Sequence, residues 1–281
     1  MSERDTAIGE HKGWGIEIGT RAYVALYVRS LHPQTFAYAW DNFCPDIING
    51  RTRSFYEDSV FFLRKLNKDI QGLENIPSSG PVLATANHPR FGLYNGYSGN
   101  FAFGLIAKDR RLRLIMQAGL AFAGKMVPFI DKLHQAQAES YGHIVVTPPQ
   151  IREKGIHTTG NMQALKINRM FRQGEMIGLY PEATSKGLVM KDGSPLAGGL
   201  VFSLARTKSD GLICPVAIYM SCPKTLGVRV GEPYKIGELL QFATNSKDAD
   251  AQEAAGRAAA NYMLSRINPL LPRGYRNPRL S

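Results

Sequence analysis

A chain of 281 residues with 44% hydrophobic and 20% charged residues can bury a large core, as one large domain or two small ones, and is not globally disordered. Three cysteines, Cys44, Cys214 and Cys222, form an odd set without metal-ligand spacing, which argues against a disulfide framework or a zinc site and fits a reducing, cytosolic setting. The formal charge of +11 asks for an anionic partner: nucleic acid, a lipid surface or a phosphorylated small molecule.

The N-terminus, Met1-Ser2-Glu3-Arg4-Asp5-Thr6, is polar and mixed in sign, unlike a signal peptide. Residues 1–20 carry little pattern. From Thr20 to Ile48 the chain is rich in aromatics and interrupted by Pro33 and Pro45, which reads as short helices on the core. The alternative is an interfacial element with Arg21 and Arg29 near lipid phosphates. Apolar residues at Tyr56, Val60, Leu63, Leu66 and Ile70 predict a helix over 55–70, closed by Gly72. A turn-rich connection then feeds Gly80-Pro81-Val82-Leu83-Ala84-Thr85, the pattern of a buried strand.

His88 follows that strand in Ala86-Asn87-His88-Pro89-Arg90-Phe91-Gly92-Leu93-Tyr94-Asn95-Gly96, where a loop begins. Loops at strand ends carry the chemistry of α/β proteins, and imidazole exchanges a proton near neutral pH. The stretch 91–107 lacks charge, but its asparagines, tyrosines and glycines make a poor spanning helix, so no transmembrane segment is expected. Residues 97–107 predict a helix and 111–116 a strand. The cluster Lys108, Arg110, Arg111 and Arg113 reads equally as a solvated edge or as a phosphate- or lipid-facing patch.

Further strands are predicted over 143–147, 175–180, 212–218 and 227–230, and helices over 162–171, 196–206 and 249–267. The strand at 175–180 runs into Pro181-Glu182-Ala183-Thr184-Ser185-Lys186-Gly187, a polar cluster that a purely structural turn does not need. The tail 269–281 is expected to trail along the surface. Strands alternating with helices give an α/β fold: a mixed, mostly parallel central sheet flanked by helices, with an N-terminal helical extension. The expected division is 1–70, the extension with its membrane-interfacial alternative, and 71–281, the α/β domain.

Taken in order, these segments resemble the glycerophospholipid acyltransferase family, which includes bacterial 1-acylglycerol-3-phosphate acyltransferases. Asn87-His88 after its apolar strand is similar to that family's first motif. The segment 124–132 with Pro128-Phe129-Ile130 is similar to the second, Tyr180-Pro181-Glu182-Ala183-Thr184-Ser185-Lys186 to the third, and Ile213-Cys214-Pro215-Val216 to the fourth. Gly231-Glu232-Pro233 resembles the turn that follows, and the match spans roughly 71–236.

The resemblance implies transfer of a fatty acyl group from acyl-CoA or acyl carrier protein to a hydroxyl of a lipid acceptor such as a lysophospholipid. His88 would be the general base, and Lys132, Glu182, Thr184, Ser185 and Lys186 would hold the acceptor. No cofactor or metal is expected beyond the thioester co-substrate. The partners implied are the donor, the lipid acceptor and an anionic membrane surface, with the protein cytoplasmic and peripheral on the inner face of the membrane. Nucleic acid is not expected, since no recognition motif is present. The chain departs from the family at the fifth position after the histidine, where the usual aspartate is replaced by Leu93 and no carboxylate occurs from Pro89 to Lys108. Asn95 is the nearest stand-in to orient the imidazole, with Tyr94 second. The alternatives are an acyltransferase for a non-phosphorylated lipid alcohol or glycolipid, and a catalytically silent lipid-binding homologue. Hydrolase chemistry is disfavoured, because Gly96-Tyr97-Ser98-Gly99 is one residue short of a nucleophile elbow.

Overall fold

Short apolar runs bounded by glycine and proline bury on both faces only when helices cover a parallel sheet, and this chain is built on that plan. The computed structural model describes residues 21, 37–88, 97–107, 110–117, 121–122, 125–126, 128–146, 160–182, 189–222 and 225–280. In chain order the elements are α1 (Cys44–Ile48, continuing a π-helical turn Ala39–Phe43), α2 (Phe55–Phe62), β1 (Asn67–Gln71), β2 (Val82–Ala86), α3 (Tyr97–Gly104), β3 (Leu112–Gln117), β4 (Ala121–Phe122) and β5 (Lys125–Met126). There follow α4 (Pro128–Tyr141), β6 (Ile144–Val146), α5 (Gly160–Arg172), β7 (Met176–Leu179), α6 (Pro195–Thr207), β8 (Leu212–Cys222), β9 (Thr225–Val230), β10 (Tyr234–Lys235) and α7 (Ala249–Ile267). The result is an α/β fold with a mixed, mostly parallel sheet flanked by helices.

The chain divides into two compact units, Met1–Ser54 with Ile115–Gln163 and Phe55–Leu114 with Ala164–Ser281. In the second, the strand order is β1-β9-β8-β2-β7-β3. β8 and β9 form an antiparallel pair, β10 is antiparallel to β8, and the remaining pairings are parallel. β2 and β7 lie at the centre with every residue buried. α6 and α7 cross closely because glycines meet there: a Cβ at Gly198 would lie 1.9 Å from the Gly256 carbonyl oxygen, and one at Gly256 would lie 2.4 Å from that of Pro195. α2 packs on α3 through Phe62 and Phe101, stacked with centroids 4.6 Å apart.

In the other unit, the second half of β3 pairs with β6 in parallel, from Ile115 opposite Ile144 to Gln117 opposite Val146. Arg53 donates to the Tyr38 hydroxyl at 2.8 Å and pairs with Asp46, while its backbone N–H donates to the Ser140 carbonyl at the end of α4. Arg21 stands over the Trp40 ring, 4.7 Å from its centroid; Arg29 lies outside the described residues. Burial pushes the Cys44 thiol up to about 12, which leaves it a packing residue rather than a nucleophile.

Most predicted strands and helices are present, but three regions differ. The helix expected over 55–70 ends at Phe62, and residues 67–71 form an edge strand because β9 offers them a parallel ladder. Gly72 then turns the chain at φ 77° beneath β9, where a Cβ would lie 2.1 Å from the Val230 carbonyl oxygen. Helix α4 was not anticipated; Pro128 opens it at a position where a missing N–H costs nothing. The tail does not simply trail over the surface. Leu271 and Leu280 are buried with Met190, Ala217, Tyr219, Leu264 and Ile267, and the Tyr275 hydroxyl donates to the Met220 carbonyl at 3.0 Å.

The helix crossing gives a paired prediction. Gly256→Ala overpacks it and is expected to lower unfolding stability in urea by about 1–3 kcal/mol. Gly199→Ala, one residue along α6 from the crossing and in open space, is expected to raise stability by up to about 1 kcal/mol. Equal effects at the two positions would contradict the account.

Candidate active site

In an open parallel sheet, side chains that follow neighbouring strands meet beyond the carboxyl ends of those strands. β2 and β7 are such neighbours, in register from Val82 opposite Met176 to Thr85 opposite Leu179. Carried past the strand ends, the same offset of 94 residues sets His88 across from Glu182, and the His88 backbone N–H donates to Glu182 Oε1 at 2.8 Å. Glu182 Oε2 accepts the Lys191 backbone N–H at 3.1 Å, and Glu182 is 9% exposed. A buried carboxylate needs such donors, and here they fix two chain segments to it.

On its other side β2 is held by Asn87. The β2–β8 ladder reaches Ala86 opposite Val216. Beyond it, Asn87 Nδ2 donates to the Ile218 carbonyl and Asn87 Oδ1 accepts the Ile218 N–H, both at 2.8 Å. The side-chain amide thus continues the ladder as a backbone unit would, and it is buried, as both partners are. His88 leaves the sheet from a segment clamped to both neighbouring strands.

The starts of the same strands are tied as well. Arg110 donates to the carbonyls of Pro77 at 2.8 Å and of Gly80 and Gly174, both at 2.6 Å, on the approaches to β2 and β7. Arg113, buried in β3, pairs with Glu175 at 2.6 Å. The phosphate-facing alternative for the basic cluster therefore fails at these two residues, whose charge is used inside the fold. Arg111 is exposed and Lys108 lies outside the described residues.

The imidazole of His88, half-buried and with Nδ1 shielded from solvent, faces the Tyr180 ring at 4.9 Å between centroids and a tilt of 40°. The Tyr180 hydroxyl donates to Asn100 Oδ1 of α3 at 2.9 Å, and the Phe103 ring centroid lies 5.4 Å from that of Tyr180. Burial pushes the Tyr180 phenol up, which keeps it protonated and a donor at neutral pH. Chemically the arrangement offers a proton acceptor whose main chain is fixed to a buried carboxylate, beside an aromatic wall.

Of the residues singled out in the sequence, the structure brings His88 and Glu182 together. Asn95 and Tyr94, with Thr184, Ser185 and Lys186, lie outside the described residues. Lys132 belongs to α4, in the other unit, and its side chain is likewise outside them. The clamp made by Asn87 and the link from Tyr180 to Asn100 were not anticipated. Their only sequence signal is an amide or a hydroxyl placed directly after an all-buried strand. Among the described residues, no group of three or more His, Cys, Asp or Glu could hold a metal ion.

The class defined so far is an open α/β sheet with a histidine and a carboxylate at the carboxyl edge of two central parallel strands. No family model matches the chain, and no curated protein matches it. Among solved structures, it is similar to the 1-acyl-sn-glycerophosphate (LPA) acyltransferase PlsC from Thermotoga maritima, at 13% identity and a TM-score of 0.41, over 90% of this chain and 95% of that one.

The clamp is testable by stability. Asn87→Ala orphans a buried N–H and a buried carbonyl of Ile218 and is expected to cost about 2–4 kcal/mol, whereas Tyr180→Phe loses one hydrogen bond and is expected to cost about 1 kcal/mol. Urea unfolding that ranks the two the other way would remove the clamp.

Proposed function

We propose that the protein is an acyltransferase that moves a fatty acyl group from acyl-CoA or acyl carrier protein to a hydroxyl of a lipid acceptor such as a lysophospholipid. The observation that carries this reading is the bond between the His88 main chain and Glu182. It joins the two segments whose motifs, Asn87-His88 and Tyr180-Pro181-Glu182, make up half of the family pattern.

In this mechanism the neutral imidazole of His88 takes the proton of the acceptor hydroxyl as its oxygen attacks the thioester carbonyl carbon. The tetrahedral intermediate collapses with breakage of the C–S bond, the proton passes to the departing thiolate, and the products are the ester and the free thiol. A thioester is activated enough that no covalent enzyme intermediate is needed, and proton transfer of this kind contributes about 10²–10⁴-fold.

The imidazolium formed during attack needs a counter-charge, and Leu93 stands where the family has its aspartate. In our reading the buried Glu182 carboxylate, bonded to the main chain of His88, supplies that charge while Asn95 orients the ring. Both Glu182 oxygens already accept backbone N–H groups, which favours positioning and charge compensation over acceptor binding. Thr184, Ser185 and Lys186 remain our acceptor-binding residues, and an anionic membrane surface would bring the lipid. No helix among the described residues is long and apolar enough to cross a membrane. A silent lipid-binding protein is the second reading, favoured by the replacement at Leu93.

The direct test is incubation of the purified protein with radiolabelled oleoyl-CoA and either lysophosphatidate or a neutral lipid extract, with identification of the product. His88→Ala is expected to abolish transfer with an unchanged circular dichroism spectrum; full activity would remove the base, and lipid binding without turnover in the wild type would favour the silent reading.

A second test removes the charge. Glu182→Gln, which keeps an acceptor oxygen, should lower kcat about 10- to 100-fold in a protein with an unchanged circular dichroism spectrum. An unchanged kcat would assign Glu182 to structure alone.

A further inference from the structure

We propose that the cleft between Val189–Asp192 and the C-terminal turn at Asn277–Arg279 is an anion subsite that takes a phosphate group of a substrate. The choice of ligands below rests on the acyl-transfer reading; the charge argument does not. The cleft has a volume of about 320 Å³ and is lined by Val189, Met190, Lys191, Asp192, Asn277 and Arg279.

Its charge is what selects the ligand. Among the described residues the Lys191 ammonium and the Arg279 guanidinium enter no ion pair; the hydrogen bonds of both residues there are made by their backbone N–H groups, to Glu182 and to Asn277. Asp192, the one carboxylate among the described lining residues, accepts from Asn277 Nδ2 at 3.3 Å. Two cations against one carboxylate favour an anion, and a guanidinium fork beside an ammonium suits the tetrahedral oxygens of phosphate.

Both walls are built rather than loose. Met190 N–H donates to the Tyr275 carbonyl at 3.0 Å, and Gly193 N–H donates to Asn261 Oδ1 at 2.7 Å. On the opposite wall Asn277 and Asn268 exchange two hydrogen bonds, 2.9 and 3.0 Å long, and Leu280 is buried beneath the turn. Walls fixed before binding lower the ordering cost of holding a ligand.

The cleft also has a defined relation to His88. The Lys191 main chain bonds one oxygen of Glu182 and the His88 main chain bonds the other, so the cleft begins one carboxylate away from the candidate base. The phosphate subsite and the candidate base are thus tied to the same carboxylate through their main chains. Both proposed substrates carry phosphate, coenzyme A on the donor side and a lysophospholipid headgroup on the acceptor side.

The test is calorimetric titration of the full chain with coenzyme A, 3′-dephospho-coenzyme A and glycerol 3-phosphate. Lys191→Gln and Arg279→Gln are expected to weaken binding of a phosphate ligand about five- to ten-fold each. Asp192→Asn, which keeps an oxygen facing Asn277 and removes the opposing charge, is expected to tighten it about three-fold, a sign that loss of structure would not produce. A change confined to coenzyme A assigns the phosphate to the donor, and one confined to glycerol 3-phosphate assigns it to the acceptor. Unchanged affinities in the Lys191→Gln, Arg279→Gln double variant, or no binding of any of the three ligands to the wild type, would overturn the subsite. Acyl transfer that persists with unaltered KM values in the double variant would sink the subsite and leave the activity standing. Loss of phosphate binding in a protein that transfers no acyl group would do the reverse.

Discussion

The organisation of the candidate site depends on the parallel pairing of β2 with β7, held at both ends by charge directed at backbone. At the entry to these strands, Arg110 gathers the carbonyls of Pro77, Gly80 and Gly174. At their exit, Glu182 gathers the N–H groups of His88 and Lys191. The backbone groups met here are carbonyls at the entry and N–H groups at the exit, so a guanidinium suits one edge and a carboxylate the other. Because side chains alternate with a period of two, a one-residue slip in this pairing would turn Glu182 away from the His88 main chain.

Charge in this protein has two uses that composition cannot separate. Several basic side chains are engaged within the fold: Arg110 on carbonyls, Arg113 on Glu175, Arg53 on Asp46 and Tyr38, and Arg276 on the carbonyls of Leu271 and Pro269. What remains outside, as at Lys191 and Arg279, is the part that bears on binding.

The C-terminal tail turns from an appendage into a wall of the cleft through ordinary packing. Leu271 and Leu280 enter the apolar cluster over Tyr219 and Ala217 of β8, and the turns between them satisfy their own backbone groups through Asn268 and Asn277. Burying two leucines is worth roughly 3–6 kcal/mol by area, and the hydrogen bonds of Tyr275, Asn268 and Asn277 add to it.

Taken alone, the sequence determined the central elements and singled out the two residues that meet at the candidate site. Val82–Ala86, Met176–Leu179 and most of β8 are apolar runs closed by glycine, proline or polar residues, and such runs bury as strands in almost any context. His88 and Glu182 were legible because each lies within three residues of the end of one of these strands. The periphery was decided elsewhere: residues 67–71 became a strand because β9 offered a ladder, and the tail docked because β8 and α7 left an apolar surface for it. That His88 and Glu182 touch, that Asn87 continues the sheet with its side chain, and that Arg110 serves the fold rather than a ligand are facts of register between segments far apart in the chain. Local pattern fixes which residues seek burial, but only the packed sheet fixes which backbone groups stand opposite one another, and those oppositions place the site.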